Sequence, residues 1–135
     1  MWDGLQASGL LSARLSDLVN LKVASLIGCR LCVELNSAWS RAHGVSTEEL
    51  AALADPGRAA EFSERERAAL VYAETLATAD TVPESVFEAV QRHFSEDEIV
   101  ELTATITWEI CAAKFNRALE IEGQGIGAVC PLPGM

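Results

Sequence analysis

Three serine–glutamate pairs spaced three residues apart stand where a helix start is expected: Ser46 with Glu49, Ser63 with Glu66, and Ser95 with Glu98. In such a box the serine side chain accepts from the third N–H of a helix while the glutamate reaches back to the serine N–H. Two donors that a helix start would leave orphaned are then satisfied. Each box therefore predicts a helix start, and the apolar residues around the boxes recur at helical spacing, with no alternating run of strand length. Leu5 to Leu11 reads as a short helix, and Leu15, Leu18, Val19, Val23, Leu26 and Ile27 mark a second from about Ser12 to Ile27, where Gly28 ends or kinks it. A third runs from Cys29 to His43, with an apolar stripe of Leu31, Leu35, Ala38, Trp39 and Ala42 and a stop at Gly44. Asp55-Pro56-Gly57 breaks the helix that Ser46 begins, and Pro83 opens one carrying Val86, Phe87, Val90 and Phe94. The last, from Glu96 to about Ile121, carries Ile99, Leu102, Ile106, Ile110, Ala113 and Leu119. The fold class is all-α.

A chain of 135 residues has room for one core, so the reading is a single-domain helical bundle. The domain is expected over residues 1–122, and residues 123–135, with Gly123, Gly125, Gly127, Pro131, Pro133 and Gly134, form a Gly/Pro-rich C-terminal arm. Half the residues are hydrophobic and the mean hydropathy is +0.18. Apolar side chains in that proportion are expected to be hidden between subunits, which predicts a homo-oligomer. A formal net charge of −10 repels phosphate backbones and anionic lipid, which argues against nucleic acid and membrane partners. Neither an uninterrupted apolar run of membrane length nor a basic region leading into an apolar one is visible, so a cytoplasmic location is expected.

Four cysteines could make two structural disulfides in a secreted protein, but in a reducing compartment catalytic or inert thiols are expected. Cys29 and Cys32 stand three apart at the opening of the third helix, on one face, so their sulfurs can meet and close a disulfide. The helix N-terminus there favours a thiolate, and it favours Cys29 first. Redox chemistry, half of a zinc site, and plain core packing all remain open for such a pair. The other two thiols form no second pair of this kind, which weighs against zinc, and no cofactor is implied. Cys111, in the apolar middle of the last helix, is expected to pack in the core. Cys130, in the arm, is a candidate third redox thiol. Trp39 is expected to be core. His43 and His93 sit near helix ends, where a charged imidazole suits the dipole; His43 lies roughly 16 Å along the helix from Cys32. Trp108, Glu109 and Asn116 can line a pocket beside the dithiol or hold subunits together.

The run Asp17-Leu-Val-Asn-Leu-Lys-Val-Ala-Ser-Leu-Ile-Gly-Cys29-Arg-Leu-Cys32, followed by Leu53-Ala-Asp55, Phe62-Ser-Glu-Arg-Glu-Arg-Ala-Ala-Leu70 and His93-Phe-Ser-Glu-Asp-Glu-Ile-Val-Glu-Leu102, resembles the carboxymuconolactone decarboxylase family. It is most similar to the alkylhydroperoxidase D-like branch, over about residues 12–120. The resemblance implies an all-helical subunit, assembly into homotrimers or homohexamers, and a peroxidase acting on a peroxide or disulfide substrate with an external thiol reductant. By position it implies that Cys32 attacks the peroxide, that Cys29 resolves the sulfenic acid into a disulfide, and that Asp17 and Asn36 occupy the places of a glutamate and a histidine in a proton relay. Asp17 keeps a carboxylate on a shorter arm, but Asn36 cannot take up and return a proton near neutral pH. Base catalysis is worth about 10²–10⁴-fold, so the chain is either a slow peroxidase or one with another base. The competing class is a non-redox relative, a decarboxylase-like enzyme or an oligomeric binding protein whose cysteines are structural.

Overall fold

The computed structural model describes residues 2–55 and 60–121. The expected C-terminal arm with Cys130, and Pro56 and Gly57 of the expected break, lie outside the described residues. Among the described residues there are seven helices and no strand: α1 (Trp2–Ser8), α2 (Ala13–Ile27), α3 (Arg30–Ala42), α4 (Thr47–Ala52), α5 (Glu64–Thr78), α6 (Glu84–His93) and α7 (Glu96–Ala118).

Helix α2 is the axis of the bundle, packing against α3, α5 and α7. A helix surrounded on several sides must be apolar around most of its girth. In α2 this holds, since Leu15, Leu18, Val19, Leu21, Val23, Ala24 and Ile27 are all buried. Val33 of α3, Ala69, Leu70 and Ala73 of α5, and Leu102, Ile106 and Ala113 of α7 close the core around it. Each such leucine or isoleucine contributes about 1.5–3 kcal/mol by leaving water.

All three capping boxes form, with serine and glutamate each accepting from the other's backbone N–H. Each box glutamate is also held by an arginine from another helix. Arg14 of α2 reaches Glu49 at 2.5 Å and Glu66 at 2.7 Å, and Arg65 of α5 reaches Glu98 at 2.5 Å while its guanidinium lies 3.9 Å over the Phe94 ring. Arg14 and Arg65 hold the Glu49 and Glu98 carboxyls below the usual carboxylate range. The groups that start α4, α5 and α7 thus also fix where those helices sit.

Two burial expectations are corrected. Trp39 is 42 % exposed rather than core, because α3 meets α2 and α7 through Val33, Asn36, Ser37 and Ser40, which leaves the indole at the edge of the contact. Cys111 is exposed. The buried stripe of α7 is Glu101, Leu102, Thr105, Ile106, Glu109 and Ala113, and two residues beyond Glu109 the helix has turned to the opposite side.

Candidate active site

The turn between α2 and α3 sets up the site. Gly28 takes φ 80°, a left-handed conformation that glycine adopts without strain, and its N–H bonds the Ala24 carbonyl at 3.0 Å. Arg117 of α7 presses on this turn: its guanidinium donates to the Ile27 carbonyl, and a Cβ at Gly28 would stand 3.2 Å from Arg117 Nη1. Beyond the turn Cys29 is extended and takes the N-cap of α3, one position before the first helical turn in which the spacing placed it. Its sulfur accepts from the Cys32 N–H at 3.2 Å. The two Cα atoms are 5.3 Å apart and the sulfurs are joined in a disulfide.

Cys32 is 5 % exposed and opens onto a pocket of about 230 Å³. Of the two readings left open for Trp108, Glu109 and Asn116, the pocket beside the dithiol is present: all three line it, together with Leu35, Asn36 and Trp39. Asn116 Nδ2 approaches the Cys32 sulfur at 3.4 Å, and Asn36 Nδ2 donates to Glu109 Oε1 at 3.0 Å. Glu109 is 6 % exposed, and burial pushes its carboxyl up to about 7, the Asn36 bond acting in the opposite direction.

The two expected relay positions are engaged separately. Asp17 Oδ2 lies 2.5 Å from His43 Nδ1, and this pair lines a second pocket of about 110 Å³ with Ser16 and Thr105. Burial raises the Asp17 carboxyl, opposed by the bond and the charge of His43. His43, which also caps the end of α3, therefore has a specific carboxylate partner in addition to the helix-end position foreseen for it. His93 lies in a cleft with residues of α5 and α6, and its carbonyl accepts from Arg65. On the far side of the disulfide, Gly28, Cys29, Arg30, Arg117 and Glu120 line a further pocket of about 340 Å³, which Asn116 borders as well. Among the described residues no three histidine, cysteine or acidic side chains gather as metal ligands.

The link from Asn36 to Glu109 was missed by the spacing arguments. The one available signal was a pair of polar residues, Glu109 and Asn116, seven apart and so on one face of the last helix.

Comparison with known proteins bears on the fold. A model of the carboxymuconolactone decarboxylase family matches residues 1–75. The chain is 34% identical over 118 residues to the uncharacterized protein YnjA of Escherichia coli, covering 87% of this chain and 63% of that one. It thus spans a little under two thirds of that relative. To the uncharacterized protein YdfG of Bacillus subtilis it is 28% identical over 109 residues, 76% of this chain and 74% of the other. Among solved structures, one from Agrobacterium tumefaciens, a protein of unknown function proposed to be the antioxidant-defence protein AhpD, superposes with a TM-score of 0.85 at 27% identity, covering 90% of this chain and 84% of that one. The debrominase Bmp8 shares the fold, with a TM-score of 0.85 at 21% identity over 96% of this chain and 70% of its own.

Proposed function

The chain belongs to the carboxymuconolactone decarboxylase family, and within it we propose a thiol-dependent oxidoreductase whose Cys29–Cys32 pair cycles between dithiol and disulfide with a peroxide as oxidant. The observation that carries the reading is a joined pair of sulfurs of which one, Cys32, opens onto a pocket holding a carboxamide donor and a carboxyl.

In the reduced protein the Cys32 thiolate attacks the terminal oxygen of the peroxide. An S–O bond forms, the O–O bond breaks, and the released alkoxide takes a proton and leaves as an alcohol. The Cys29 thiol then attacks the sulfenic sulfur, the S–S bond forms, and hydroxide leaves with the thiol proton as water. Two electrons have passed from two thiols to one peroxide, and an external dithiol returns them by exchange. Asn116 supports the Cys32 thiolate by hydrogen bonding. Asn36 orients the neighbouring carboxyl, and Asp17 acts at one remove, as the inner partner of His43.

The working form is a homo-oligomer, trimer or hexamer, in a reducing, cytoplasmic setting. Val100, Phe115 and Leu119 stand exposed along one side of α7 and supply the apolar face for assembly. Among the described residues no helix is long and apolar enough to cross a membrane.

Peroxide consumption with dithiothreitol tests the reading. The parent turns over, Cys32→Ser is inactive, and Cys29→Ser stops at a sulfenic acid that a dimedone probe captures. A Cys32→Ser protein as active as the parent, or free thiols unchanged after stoichiometric peroxide, would return the cysteines to a structural role.

A further inference from the structure

An O–O bond broken by a thiolate releases an alkoxide, a poor leaving group unless a proton meets it as the bond breaks. The two positions where the family resemblance places proton carriers do not supply that proton here. Asn36 carries a carboxamide, which has no proton to give and take near pH 7. Asp17 is bonded to His43 in a separate pocket.

Glu109 reaches the site from another helix. It lines the same pocket as Cys32, is almost wholly buried, and has one oxygen, Oε1, held by Asn36 Nδ2 at 3.0 Å, which leaves Oε2 for a proton. The titratable groups of the helices packed on α7 are engaged or turned outward. Asp17 of α2 pairs with His43, and Lys22 of α2 donates to the Leu53 carbonyl and faces Glu74. Tyr72 of α5 bonds Thr103, and Arg65 pairs with Glu98. Asp3 of α1, Arg41 of α3, and Glu88 and Arg92 of α6 are exposed. On α7 itself Glu101 is buried two turns away, and Cys111 and Lys114 are exposed. Among the described residues, Cys32 is the one other titratable group lining this pocket.

Resting on the redox reading above, we propose that Glu109 is the proton carrier of the site: its carboxylate removes the Cys32 thiol proton and its carboxyl delivers that proton to the leaving oxygen of the peroxide, with Asn36 as the positioning residue. The proton balance closes over one turnover. The first step converts thiol and carboxylate into thiolate and carboxyl; the second converts thiolate, carboxyl and peroxide into sulfenic acid, carboxylate and alcohol. Glu109 ends as it began. Burial suits it to both halves, because a carboxyl near 7 holds and releases its proton where an ordinary thiol at about 8.5 and a neutral medium meet.

The test compares two oxidants on the reduced full-length chain in single turnover, followed by the fluorescence of Trp39 and Trp108. Cumene hydroperoxide needs a proton on its leaving oxygen; a nitrobenzoate disulfide, whose thiolate leaves unaided, does not. In the parent the peroxide rate rises through pH of about 7, as the thiol–carboxyl pair loses its first proton. In Glu109→Gln the ratio of peroxide rate to disulfide rate falls about 100-fold or more and the rise moves up to the thiol's own range. Glu109→Asp recovers part of the ratio. Asn36→Leu keeps the carboxyl but removes the bond that lowers its pKa, so the rise moves upward. An unchanged ratio in Glu109→Gln, or equal losses with both oxidants, overturns the proposal while leaving the dithiol reading intact. A parent inert to both oxidants overturns the dithiol reading itself. Should Glu109→Gln not fold, an unmoved pH rise in Asn36→Leu overturns the proposal alone.

Discussion

Glu109 should leave a pH signature in folding stability that is independent of any activity. Its carboxyl titrates near 7 in the folded protein against an ordinary value of 4.5, because burial penalises the anion. Below the ordinary value both states hold the proton and nothing is lost. Between the two values the folded protein holds a proton that the unfolded chain has released, so stability falls as pH rises, by about 1.36 kcal/mol per pH unit. Above the folded value both states are ionised and the loss levels off at about 3 kcal/mol. Glutamine is neutral throughout and accepts the same bond from Asn36. Relative to the parent, Glu109→Gln should therefore gain about 2 kcal/mol between pH 5.5 and pH 8, a window chosen above the sequence pI of ≈ 4.5. Urea unfolding of both oxidised proteins, at one fixed protein concentration so that assembly adds equally, measures the gap. Parallel stability profiles, constant to within about 0.5 kcal/mol across the window, would mean an ordinary carboxyl and remove the physical basis for its proton-carrying role.

Arg14→Ala loosens two helix starts at once, since Glu49 and Glu66 both lose their partner; a cost of about 1–2 kcal/mol, smaller in high salt, should appear in denaturant unfolding. His43→Ala leaves the buried Asp17 carboxylate without its partner. The Asp17 carboxyl is already raised by burial and rises further without His43, so the deficit should be small in acid and grow to about 1–3 kcal/mol at neutral pH. Cys111 lies on the same exposed side of α7 as Phe115 and Leu119, so Cys111→Glu should shift sedimentation to the monomer and leave the helical spectrum unchanged; an assembly that survives the charge would place the interface elsewhere.

Local chemistry wrote much of the fold into the sequence. The three serine–glutamate boxes each satisfy their donors within four residues, and all three start helices as expected. Gly28 marks a stop because its left-handed conformation is a property of one residue. Trp39 and Cys111 were misjudged for a complementary reason. Trp39 belongs to an apolar stripe and Cys111 to a short apolar run, but burial depends on which side of a helix meets its neighbours. In α7 that side is set by Leu102, Ile106 and Ala113 facing α2, a tertiary fact. The arginine clamps were hidden likewise, since Arg14 and Glu49, 35 residues apart, are joined only in the folded chain.

The site divides along the same line. The electron chemistry proposed for it is local: two sulfurs three residues apart, the first capping the helix on which the second rides, make a disulfide from one short stretch. The proton chemistry proposed for it is not local, because the carboxyl comes from α7 across a sequence distance of 73 residues. At position 36 an imidazole would have to carry the proton itself, whereas the carboxamide of Asn36 need only supply an N–H that keeps the Glu109 carboxyl turned toward the Cys32 pocket. On the proposed mechanism, asparagine there changes which helix holds the proton, and a buried acid that only the packed bundle brings within reach stands in for the imidazole.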